Sequence, residues 1–173
     1  MGLVNSTRQL IRLWALLGGF ILIGIILMTA YSATLNLLLN APVAGDFEIV
    51  EMGVAIAVFC FLPFCQLEKA NVSVDIFTMK AGPKSVALMS ILASILAVCL
   101  ASLLLWRMSL GMLDYREYEE YTAILSIPIW IAFPPILFSL FLLILASLIT
   151  TAESFRKLLR LKVEGKFKKP DFK

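Results

Sequence analysis

Few side chains in this 173-residue sequence can do chemistry, and the missing ones set the first limits. There is no histidine. That removes the commonest ligand for haem, zinc and copper, the usual general base and the side chain that titrates near neutral pH. Cys60 and Cys65 are five apart and Cys99 stands alone, so neither the C-x-x-C redox spacing nor a zinc ligand set is present. Thiols in such apolar surroundings read as small packing residues. No glycine-rich phosphate loop occurs. We therefore expect no cofactor, no metal site and no enzymatic activity. What remains are acids and amides at the edges of apolar runs. Glu48 and Glu51 are three apart, neighbours on one helix face. Gln66, Asn71 and Asp75 lie in the polar stretch QLEKANVSVDIFT at 66–78. Such groups cap, pair and hydrogen-bond, and they are candidate partner contacts.

The elements that carry them follow from composition. The chain is 61% hydrophobic and 16% charged, against roughly 45–50% and about 25% in a soluble domain. A single core of this size cannot bury so much apolar surface, so lipid is the expected solvent. No Asp, Glu, Lys or Arg occurs in 13–45, 52–67, 85–106 or 121–152. About 20 apolar residues cross a hydrocarbon core roughly 30 Å thick. The second window is too short unless 47–51 joins it, which leaves Glu48 and Glu51 at the water boundary. The expected fold is an all-α integral membrane protein with four transmembrane helices, near 13–36, 47–67, 85–106 and 129–151. The first run is too long for the apolar segment of a signal peptide and ends in no clear cleavage site. Strands of a membrane barrel would alternate with period two, and these runs do not.

Breakers and aromatics mark the ends. The stretch NAPVAG at 40–45 stops the first helix, and Gly82 and Pro83 precede the third. Pro128 suits a first turn, while Pro134 is expected to kink the fourth helix. Trp14 and Tyr31 are placed to bracket span one at the two interfaces, with Trp106 and Trp130 at one side. Gly18, Gly19 and Gly24 suit close helix contact.

Charge gives an orientation. Segments 1–12, 68–84 and 153–173 carry 13 of the 15 Lys and Arg, and the other side holds only Arg107 and Arg116. That other side carries seven of the twelve acids. Both termini are expected in the cytoplasm. The chain then divides into a transmembrane domain, 1–152, and a basic cytoplasmic tail, 153–173, that can touch anionic membrane lipids. Nucleic acid is not an expected partner. In the 66–84 connector Asp75 can cap a short amphipathic helix over 76–80. No charge stands at mid-membrane, where an autonomous carrier would need one. The pattern is that of an accessory subunit.

Residues 62–66, Leu62-Pro-Phe-Cys-Gln66, followed by Asn71-Val-Ser-Val-Asp-Ile-Phe77, resemble the helix-two signature of the small membrane subunit of tripartite ATP-independent periplasmic (TRAP) transporters, the DctQ-like family. Val74-Asp75 match its "hydrophobic-x-Val-Asp-hydrophobic" motif, and Leu125-Ser-Ile-Pro-Ile-Trp130 is similar to its entry to helix four. The family's acidic pair is spread here as Glu48 and Glu51, and Asn71 stands where a basic residue or histidine is common. The resemblance implies a sodium-coupled symporter for an organic acid. A periplasmic substrate-binding protein would deliver the acid to a large multi-spanning, elevator-type subunit, which the small subunit steadies in a heterodimer. Glu48, Glu51, Gln66, Asn71 and Asp75 would be its partner-interface candidates. Two other classes stay open from the residues alone, an accessory subunit of a redox complex and a stand-alone small exporter.

Overall fold

The computed structural model describes residues 2–68 and 83–167. Asn71, Asp75, the helix expected over 76–80 and the end of the basic tail, 168–173, lie outside the described residues. Among the described residues four long helices make up the fold: α1 (Gly2–Leu39), α2 (Asp46–Leu67), α3 (Pro83–Glu117) and α4 (Phe133–Phe167), the last preceded by a 3-10 turn at Ile129–Ala132. Each is long and apolar enough to cross a membrane, over Val4–Leu39, Asp46–Leu67, Met89–Glu117 and Ile129–Arg156. The all-α transmembrane class expected from the charge-free windows is the class observed. No backbone break falls at 152, because α4 continues to Phe167.

Local chemistry explains the ends. α1 stops where Asn40 adopts a left-handed φ of 50°, and Gly45, φ 75°, turns the chain into α2. A side chain at Gly45 would be strained and would also strike the Leu125 side chain. Pro134 does not kink α4. The helix begins at Phe133, so Pro134 occupies the first turn, where a missing N–H costs no hydrogen bond. The proline inside a helix is Pro63 of α2, fully buried against its neighbours.

The four helices form an open array in the order α1, α2, α4, α3. α1 packs along α2, α2 along α4 and α4 along α3, and α1 also meets α4 where Ile11, Leu67, Leu142 and Ala146 form a buried cluster; among the described residues α3 packs against neither α1 nor α2. The most apolar stretch of α4 is 33% buried inside the chain and that of α3 only 11%, which separates the centre of the array from its edge. α4 holds neighbours on two sides with small buried residues, Ser139, Ala146, Ser147, Thr150 and Ser154, set among the larger buried Ile136, Leu140 and Leu142. On α1 the buried residues Ile11, Gly18, Ile25 and Ser32 recur every seven, a coiled-coil-like seam. Gly18 lets α2 approach so closely that a Cβ there would lie 2.6 Å from Cys60 Cβ, and Gly53 of α2 does the same for Ile25. Gly19 and Gly24 meet nothing within 4 Å, contrary to expectation, since one and six residues off a seven-residue stripe turn them away from α2.

Candidate partner interface

The two ends of α2 carry different chemistry. At the acidic end Asp46 accepts a hydrogen bond from the Ser32 hydroxyl, joining α2 to α1, and a second from the Phe47 N–H at 2.7 Å. Glu48 reaches the 118–128 connector between α3 and α4. Its Oε1 accepts the Ile124 N–H at 2.7 Å and its Oε2 accepts the Leu125 N–H at 3.0 Å. The connector is a compact hairpin. Tyr121 and Pro128 form a bridge. The Thr122 N–H donates to the Ile127 carbonyl at 2.9 Å, the Ile129 N–H to the Glu120 carbonyl at 3.1 Å, and the Ile127 N–H to the Thr122 hydroxyl at 3.1 Å. Ser126 takes a φ of 53° to close it. Beside its root an open cleft of about 330 Å³ is lined by Asp114, Tyr115, Tyr118 and Glu120. Arg116 lies over the Trp130 ring, 5.9 Å from its centroid.

Glu51, one turn further into α2, is exposed and makes no hydrogen bond or ion pair with the described residues. The two carboxylates expected as an equivalent pair are therefore different: one is spent inside the chain and one is available. Gln66 sits at the opposite end, about 22 Å from Glu51 along the helix. It is 8% exposed, and its Nε2 donates to Thr150 Oγ1 at 3.3 Å, with the Ser94 hydroxyl 3.4 Å from the same oxygen. Gln66 thus lies in a buried polar layer joining α2, α4 and α3, extended by the Ser90 and Ser154 hydroxyls at 3.0 Å.

Several contacts escape sequence reasoning. Trp14 packs within the chain: it is half-buried, donates to the Ser139 hydroxyl at 2.8 Å and meets Phe138 edge-on at 4.6 Å. Arg8 pairs with Glu153, and Arg12 with Glu68 at 3.3 Å. Nothing in the sequence names the acidic partners of these two arginines. Among the described residues, no three His, Cys, Asp or Glu side chains converge as metal ligands would.

Fold and site together define a multi-pass membrane protein whose polar groups tie its own helices and one loop together. The chain belongs to the DctQ family: the model of the DctQ component of tripartite ATP-independent periplasmic transporters matches residues 22–157. It is a small membrane component of a TRAP transporter, as the helix-two and helix-four motifs implied. Comparison with curated proteins and with solved structures gives no match.

Proposed function

We propose that this chain is the scaffold subunit of a sodium-coupled importer of an organic acid, a carboxylate or similar anion brought by a periplasmic binding protein. It sits in the bacterial inner membrane with both termini in the cytoplasm and steadies the static part of a large elevator-type subunit, through which the substrate passes. The observation that carries this reading is the open array. Autonomous carriers converge polar groups or broken helices at mid-membrane. Here the buried polar side chains among the described residues are hydroxyls and one amide, several of them bonded to a neighbouring helix, and the flanks of the array are apolar and exposed. The 13-to-2 division of basic residues supports the orientation.

Glu51 is the carboxylate we assign to the large subunit, since it is exposed on α2 and a charge there is costly against hydrocarbon. Glu51→Gln keeps size and removes charge. Expected is a several-fold lower yield of the two-subunit complex with unchanged insertion of the small subunit, read by affinity co-purification. Wild-type yield and uptake in that variant would remove Glu51 from the interface. Calorimetry on the isolated subunit is expected to detect no substrate binding.

A further inference from the structure

The hairpin at 118–128 is more completely built than a connector requires. It has its own backbone bonds, and from outside it is gripped by the Glu48 carboxylate and seated by Leu125 on Gly45. What it displays is also unusual. Tyr118 is 74% exposed, Ile124 62% and Tyr121 54%. Asp114, Glu117, Glu119 and Glu120 stand in the same stretch with Arg116 the single base. Four acids keep this segment out of hydrocarbon. Its large side chains therefore meet water unless a protein covers them, and exposed apolar and aromatic groups on a rigid support are what protein interfaces use. A loop already ordered before contact loses little freedom on docking.

We propose that Glu48 is a positioning residue, fixing the hairpin as the platform on which the water-soluble binding component of the transporter docks through Tyr118, Tyr121 and Ile124. This rests on the function proposed above. The partner surface is one with basic side chains around an apolar patch, because the acids flanking the tyrosines steer and orient such a surface. Glu48 acts at one remove. Two acceptor oxygens face two backbone donors, and no neutral side chain of the same size offers that. Gln presents an NH₂ group to one of the N–H donors, so one bond is lost and the other is no longer charge-assisted.

The test uses the two-subunit complex in lipid nanodiscs, with the purified soluble binding protein as probe. In Glu48→Gln, trypsin cleavage after Arg116 is expected to accelerate about tenfold, the factor carried by about 1.4 kcal/mol, and the dissociation constant for the binding protein to rise several-fold. The double variant Tyr118→Ala/Tyr121→Ala is expected to raise that constant similarly without faster cleavage, because it alters the platform's surface and leaves its grip. Unchanged cleavage in Glu48→Gln would overturn the positioning role. Faster cleavage with an unchanged constant would overturn the docking role, as would loss of co-purification with the large subunit in the tyrosine variant, which would give the hairpin to that subunit. If the wild-type chain captures no large subunit, the scaffold reading itself has failed, and that result is separate from all of these.

Discussion

The α1–α2 seam and the α3–α4 seam join neighbouring antiparallel helices by different means. The first is steric. Gly18 admits Cys60, and Gly53 admits Ile25, at distances a Cβ would forbid. The second is polar, with Ser90 facing Ser154 at 3.0 Å and Ser94 facing Thr150 at 3.4 Å. Lipid gives helices no hydrophobic reason to associate, so dispersion across a close contact and interhelical hydrogen bonds are what remain. The two are unequal. A hydrogen bond between membrane helices contributes on average about 0.6 kcal/mol, because a separated helix finds other partners for its hydroxyls. An extra methyl group forced into a fitted contact costs about 1–3 kcal/mol. The steric seam is thus expected to be the more sensitive to a single atom.

The largest effect should come from that seam. Gly18→Ala is expected to destabilise the chain by about 1–3 kcal/mol, measured by reversible unfolding in bicelles. Gly19→Ala, one residue away and facing open space, should cost nothing. Equal effects would mean that helix propensity, and not the contact with Cys60, governs the seam. On the polar seam Ser94→Ala should cost about 0.6 kcal/mol. Ser147→Ala should go the other way by a few tenths: its hydroxyl is fully buried with no hydrogen-bond partner among the described residues, so deletion removes a desolvated group. Matching losses at 94 and 147 would show that hydroxyl bonding does not distinguish the two positions.

The same contrast explains what the sequence could and could not disclose. The four spans are legible because a core roughly 30 Å thick demands uninterrupted apolar runs, and only the charge-free windows meet that demand. The order α1, α2, α4, α3 is not legible, since helices apolar on every side do not announce which face meets a neighbour. The repeat of Ile11, Gly18, Ile25 and Ser32 is present but is submerged among equally apolar residues. Pro134 falls in a first turn, and not inside a helix, because the 3-10 turn at Ile129–Ala132 delays the start of α4. Glu48 and Glu51 look alike in sequence; what separates them is a loop 76 residues further along the chain. The family was readable from motifs in part because Val74-Asp75 and Ile127-Pro128-Ile129-Trp130 are short and local.

The smallest expected effect belongs to the basic end of the α1–α2 seam, where Arg12 meets Glu68 at 3.3 Å. The side chains are 66% and 47% exposed, so water screens the pair, and holding two long side chains in one geometry consumes much of the Coulomb gain. Exposed pairs of this kind are typically worth about 0.2–1 kcal/mol, and the single contact between one guanidinium nitrogen and one oxygen puts this one at the low end. Lipid phosphates at the head-group level would compete for Arg12 in any case. Arg12→Gln is therefore expected to lower stability by no more than about 0.5 kcal/mol at low salt, and the difference from wild type should vanish as ionic strength approaches about 1 M, where the screening length is about 3 Å. A salt-independent loss above that size would show that the aliphatic stem of Arg12, which lines a small cleft together with Phe64 and Leu67, matters more than its charge, and the basic end would then join α1 to α2 sterically as Gly18 does.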